Sequence, residues 1–216
     1  MNAEEQPRAI PAPTLRRLPG YLQLLKSRGY APGSTVSCTV IAQALGLQSI
    51  QVRKDLAYTG ITGRPKTGYV ALELIKAIED FLGWNNTHDA LLFGVGQLGR
   101  ALLSYNGFRA QGLDIVAGVD CDNAVQRLDV HGKKVIPLSK ASSLIRRLHI
   151  KIAVITVPAS SAQAVCDMAV AAGVKAVWNF APVQLNVPEG IIVQNENLAA
   201  SLAVLSKKLN LSLKAS

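Results

Sequence analysis

The 216 residues are more than one ordinary domain needs and enough for two that each bury a core, and with 49% hydrophobic and 17% charged residues wholesale disorder is excluded. No apolar run approaches the ~20 residues that span a bilayer, and the polar, proline-punctuated segment 1–13 lacks a signal-peptide core, so a cytoplasmic location without a membrane partner is expected. The net charge of +9 suits a polyanionic partner without locating it, because residues 1–84 carry ten Lys/Arg against six Asp/Glu and residues 85–216 thirteen against eight.

In residues 14–28, Leu15, Leu18, Leu22 and Leu25 recur at helical spacing and predict an amphipathic first helix, weakened at its start by Pro19 and Gly20 and stopped by Gly29. Ser37 can cap a short helix through Ile41, Ala42 and Leu45 that ends at Gly46. A third helix follows at once, with Ser49 as cap, Ile50, Val52 and Leu56 expected inward, and Gln51, Arg53, Lys54 and Tyr58 outward. Two short helices joined by a tight Gly-containing turn are a helix-turn-helix signature. The outward face of the second has the chemistry to read DNA, because Arg bonds guanine bidentately, Gln bonds adenine and Lys holds phosphate. Residues 59–70 place Gly60, Gly63 and Gly68 around Arg64, Pro65 and Lys66, a two-stranded wing with a basic tip suited to a narrow minor groove. A fourth helix, 71–82, closes at Gly83 and Trp84. The candidate DNA contacts of this winged-helix domain, residues 1–84, are Arg16, Arg17, Ser49, Gln51, Arg53, Lys54, Tyr58, Arg64 and Lys66.

His88 to Phe93 reads as a strand, followed by Gly94-Val95-Gly96-Gln97-Leu98-Gly99 and a helix over 100–108. A second strand ends in Asp120, 21 residues after Gly99. In that strand-turn-helix context the glycines serve the turn and the close approach of a pyrophosphate, the helix N-terminus attracts its charge, and the acid takes the ribose hydroxyls. A carboxylate there repels a 2′-phosphate, so the expected cofactor is NAD(H). Further alternation follows: a strand near 134–137, helix 139–148, a strand ending at Val157, helix 160–172 and a strand ending at Phe180. It predicts an α/β fold with a Rossmann-type parallel sheet over 85–195. Ligands bind beyond the carboxyl ends of such strands, which adds Thr156, Val157 and Pro158, and the segment Asn179-Phe180-Ala181-Pro182. A last helix, 196–209 in the segment 196–216, lines up Leu198, Leu202, Leu205 and Leu209, a stripe that must bury itself on its own domain or on a partner chain.

Two other chemistries are weighed. Cys38, Cys121 and Cys166 stand singly, without the spacing of a zinc site or disulfide framework, so no metal is expected. A small NAD-dependent oxidoreductase needs a proton donor near the nicotinamide. None of His88, His131 and His149 sits at a strand's carboxyl end, so no catalytic residue is assigned.

The strings QVRKDLAYTG, TGYV, GVGQLGRALLSYNGF, ITVPASSAQ, GVKAVWNFAPVQLNVPEGIIVQNENLA and LAVLS resemble the Rex family of bacterial redox-sensing transcriptional repressors, from about Pro13 to Leu209. The resemblance implies a homodimer whose C-terminal helix is swapped onto the partner, binding to an inverted-repeat operator, and release when NADH rises. It places Gln51, Arg53 and Lys54 on the recognition helix, and Gly94, Val95, Gly96, Gln97, Leu98, Gly99 and Asp120 in the dinucleotide fingerprint. It places Tyr105 near the nicotinamide, and Thr156 to Pro158, Asn179, Ala181, Pro182 and Leu198 around the pocket. Where other members pair an Arg of the first helix with an Asp at the start of the swapped helix, this sequence has Gln23 and Asn197. Leu198 replaces a phenylalanine, and Pro65, between Arg64 and Lys66, replaces the wing-tip Arg. With the charged pair gone, a weakened or lost NADH response is the alternative within the same class.

Overall fold

In the computed structural model, which describes residues 10–215, the chain divides after Asn86 into two compact units.

The first unit begins with helix α1, Ala12–Ser27, entered through Pro11 with a proline in its first turn and with Pro19 inside it. The helix starts earlier than the leucine spacing suggested, and its inward face differs: Thr14, Leu18, Tyr21, Leu22 and Leu25 are buried while Leu15 is exposed. Strand β1, Thr35–Val36, leads to helix α2, Cys38–Leu45, where the Ser37 hydroxyl accepts the Val40 N–H at 3.3 Å and Gly46 ends the helix at φ +65°. Helix α3, Ser49–Ala57, has Gln48 rather than Ser49 at its cap position, with no side-chain cap. Its buried residues are Val52, Asp55 and Leu56, and Ile50, expected inward, is 64% exposed.

The wing also differs from expectation. Its own two arms meet in a single antiparallel bridge, Arg64 to Gly68, and strand β2, Tyr69–Val70, pairs with β1 instead. Gly68 lies at φ +86° with a would-be Cβ 2.3 Å from the Val36 carbonyl, so no side chain fits where the arm crosses β1. Helix α4, Ala71–Leu82, ends at Gly83 (φ +72°). Leu18, Leu22, Ile41, Leu56, Leu74 and Ile78 form the core that joins the four helices.

The second unit runs β3 (His88–Phe93), α5 (Gln97–Ser104), β4 (Leu113–Asp120), β5 (Asp129–Val130), β6 (Lys133–Pro137), α6 (Leu138–Leu148), β7 (Ile152–Ile155), α7 (Ala159–Ala172), β8 (Ala176–Asn179), β9 (Ile192–Asn195) and α8 (Leu198–Ala215). The sheet order is β5-β6-β4-β3-β7-β8-β9. Every neighbouring pair is parallel except β5 with β6. Without β5 this is the doubly wound order of a dinucleotide-binding sheet, with its switch point between β3 and β7. One face packs on α6 and α7 through residues such as Ala141, Ile145, Val165 and Ala169. The other, which carries Trp178, packs on Leu103 and Phe108.

The helix expected over 100–108 stops at Ser104. Tyr105 is extended, and residues 106–111 form a 3₁₀ helix. Helix α8 runs past the expected 209 to Ala215, and the Asn197 carboxamide oxygen accepts the Ala200 N–H at 2.9 Å at its start. Leu202, Leu205 and Leu209 on α8 are each more than half exposed. Among the described residues no helix is long and apolar enough to cross a membrane.

Candidate functional site

At the carboxyl ends of β3, β4, β7 and β8 the sheet opens into a cavity of about 560 Å³, within the range of small-molecule and cofactor sites. Its floor is the turn after β3. Gly94 sits at φ +92°, a region closed to most side chains. Gly99 packs so tightly that a Cβ would stand 1.9 Å from the Gly94 carbonyl, which lets the first turn of α5 lie on the loop. A Cβ on Gly96 would meet nothing within 4 Å, so the loop is open on the side where a diphosphate would approach the unpaired N–H groups and positive end of α5. The Thr156 hydroxyl fastens the loop from the neighbouring strand, donating toward the carbonyls of Phe93 (3.0 Å) and Gly94 (2.7 Å).

Asp120 ends β4 at the rim. The Val95 N–H bonds one carboxylate oxygen at 2.7 Å and the Asp122 N–H the other at 2.9 Å. Each oxygen keeps a lone pair, so the group is fixed in place yet can still accept from ribose hydroxyls. Two expected lining residues act from behind instead. Val95 is fully buried. Asn179, also fully buried, accepts the Ala181 N–H at 3.0 Å and donates to the Val183 carbonyl (2.8 Å) and the Asn195 carboxamide (2.9 Å), which shapes the turn that follows β8.

Gly94, Gly96, Leu98, Asp120, Thr156, Val157, Pro158, Ala181 and Pro182 line the cavity together. Gly99 lies beneath it, and Gln97 is exposed at the start of α5. Tyr105 lies outside the cavity lining, 53% exposed, its ring edge-on to Phe108, which continues through Trp178 to the lining residue Phe180. Leu198 opens α8, and its side chain falls outside the described residues. Cys121, Leu138 and Ser161 also line the cavity. Each directly follows a strand end or lies in the first turn of a helix, so reading one residue past each strand would have found the first two. His88 opens β3, His131 lies between β5 and β6, and His149 caps α6; none lines the cavity. Among the described residues no three metal-ligating side chains cluster.

In the first unit, α3 is pinned by one buried carboxylate. Asp55 receives the Arg17 guanidinium in a bidentate pair (2.7 and 2.8 Å), the Tyr21 hydroxyl at 2.6 Å and the Thr14 hydroxyl at 2.8 Å. Burial pulls this carboxyl up, but the hydrogen bonds from Arg17, Tyr21 and Thr14 outweigh it and hold the group below its ordinary range. Burial and the bond to Asp55 push the Tyr21 phenol well above its usual value. Arg17, expected on DNA, thus holds α1 against α3. Arg16, Arg53, Lys54, Arg64 and Lys66 are exposed, and Ser49, Gln51 and Tyr58 half-buried. The cluster was missed because no local spacing marks an inward-facing aspartate.

Comparison with known proteins decides the family. The family described as "CoA binding domain" matches residues 85–183, and the one described as "Putative DNA-binding protein N-terminus" matches residues 9–57. The redox-sensing transcriptional repressor Rex of Treponema denticola is 43% identical over 199 residues, 92% of this chain and 95% of that protein. That of Bacteroides thetaiotaomicron is 44% identical over 207 residues, 93% and 91% of the two chains. The chain belongs to the Rex family. Among solved structures, the repressor RSP in complex with β-NAD+ and operator DNA matches with a TM-score of 0.87 at 29% identity, over 94% of each chain. RSP with β-NADH matches at 0.85 and 29% identity, over 96% of this chain and 99% of that one. The Rex-family chain therefore has both an N-terminal DNA-binding domain and a Rossmann-type domain.

Proposed function

We propose that this chain is an NAD(H)-responsive transcriptional repressor of the cytoplasm that binds an inverted-repeat operator as a homodimer and releases it when NADH rises. The observation that carries the cofactor assignment is Asp120, held by two backbone N–H groups at the mouth of an open glycine turn. A fixed carboxylate accepts from a ribose diol and repels a phosphate on that ribose, so NAD(H) is favoured over NADP(H), and over CoA, whose ribose is also phosphorylated. RSP, named as a Rex-family repressor, has been solved with β-NAD+ and operator DNA and with β-NADH. The exposed Arg53, Lys54, Arg64 and Lys66 supply the base and phosphate contacts, and the uncovered leucines of α8 supply a face for the second protomer. A buried general acid facing the crevice would favour an oxidoreductase, and no histidine lines it.

The response to NADH is expected to be modest. A ligand shifts an equilibrium only by its differential affinity for the two states, and a charge-assisted bond present in one state supplies such a difference. Here Gln23 is exposed and neutral, and Asn197 is engaged in capping α8. Selection of genomic fragments with purified protein, repeated with NADH, tests the whole reading, and calorimetry with NADH, NAD+, NADPH and CoA tests the pocket. Recovery of a palindromic site whose affinity falls on saturation with NADH, by less than about a hundredfold, is the expected outcome. Selection of no site, or tighter binding of NADPH or CoA than of NADH, overturns it.

A further inference from the structure

The rotational setting of α3 decides what it shows to a ligand. With Val52, Asp55 and Leu56 inward at 0%, 3% and 0% exposure, and about 100° between successive residues, the opposite side is the line Ile50, Lys54, Ala57, with Arg53 beside it. All four are exposed. Ile50 is the anomaly. It is 64% exposed, lies in the first turn of the second helix of the helix-turn-helix, and nothing in its own unit covers it. It lies nearly half a turn from the buried face, and a rotation of the helix large enough to bring it inward would break the bonds from Thr14, Arg17 and Tyr21 to Asp55.

We infer that Ile50 reads one thymine in each operator half-site by packing on its C5-methyl group in the major groove, an inference that rests on the DNA-binding reading above. The N-terminal residues of a recognition helix are those that meet base edges. Among the four bases only thymine offers an apolar group there. An isoleucine side chain has no donor or acceptor, so set against any other base edge it would leave polar atoms desolvated without a partner. Its branched Cβ is already restricted in a helix, so little freedom is lost on contact. Arg53 and Lys54 alongside supply the charge that holds the helix in the groove.

The test replaces the thymines of a selected operator duplex one at a time by uracil, which removes only the methyl group. Each duplex is titrated by fluorescence anisotropy with the full-length protein and with Ile50→Ala and Ile50→Val. The wild-type protein is expected to lose about fourfold in affinity at one thymine of each half-site, the value of one buried methyl. Ile50→Ala should bind the thymine and uracil duplexes alike at that position, while Ile50→Val keeps most of the discrimination. Thermal melting should be unchanged in both variants because the side chain is exposed. If Ile50→Ala retains the wild-type uracil profile, or no thymine methyl is sensed, the inference is wrong while DNA binding stands. If the unmodified duplex is not bound either, both readings fall together.

Discussion

In the crevice of the second unit the ligand-facing framework is largely main chain: a turn at positive φ, a helix end, and an acid held by two backbone N–H groups. On α3 of the first unit it is wholly side chain, and which side chains face outward depends on a contact with α1, 34 to 41 residues away in sequence. Recognition of an invariant diphosphate can be built into backbone geometry. A readout that must differ between operators is carried by residues that can be exchanged without refolding the loop, provided their helix cannot turn.

That contrast can be broken first at Asp55. Asp55→Ala leaves a guanidinium and two hydroxyls without their common acceptor and should lower the stability of the first unit by about 3 kcal/mol. The chain's two tryptophans lie one in each unit, so urea unfolding followed by Trp84 fluorescence in a Trp178→Phe background reads the first unit alone. Operator binding should fail while NADH binding persists; parallel loss of both would show that the units do not stand separately. The same carboxyl gives a pH signature. Its folded pKa is depressed, so its contribution is fully present above the unfolded value, near 4, and is lost as pH falls below it. Asp55→Asn should remove that part of the acid sensitivity.

A somewhat smaller effect is expected at Gly99. A methyl group there collides with the Gly94 carbonyl, so Gly99→Ala should cost about 1 to 3 kcal/mol of stability in the second unit and more than about tenfold in NADH affinity by calorimetry. Ligand-free operator binding should be retained. The mildest test pairs Arg53→Ala with Asp120→Ala. The first should weaken operator binding by about 1 to 3 kcal/mol and leave NADH affinity alone. The second should do the reverse and narrow the preference for NADH over NADPH. Damage to both functions by either variant would erase the contrast.

The uneven legibility of the sequence follows from the same difference. Gly94, Gly96, Gly99 and Asp120 could be placed because strand, turn and helix are local and their spacing is fixed by backbone geometry. Ile50 falls on the wrong face when side-chain type alone decides: it is apolar, yet at about 100° per residue it lies opposite Val52 and Leu56, and the inward place goes to an aspartate that Arg17, Tyr21 and Thr14 satisfy. Arg17 looks like a DNA contact for the same reason: a surface arginine and one paired across 38 residues look alike in a string. Helix periodicity overruns the Asn106-Gly107 step, which ends α5 at Ser104, and Tyr105, placed near the nicotinamide by resemblance alone, lies outside the cavity lining. Glycine spacing pairs the wing's own two arms, and only the folded unit shows that β2 is claimed by Thr35 and Val36.

The 18-residue α8 shows Leu202, Leu205 and Leu209 to water. Once the proposed second copy covers that stripe, part of each protomer's folding free energy resides in assembly, and stability scales with the logarithm of protein concentration. Dilution then acts on this repressor as a mild denaturant, so its cellular copy number becomes a control on silencing that operates independently of the redox state.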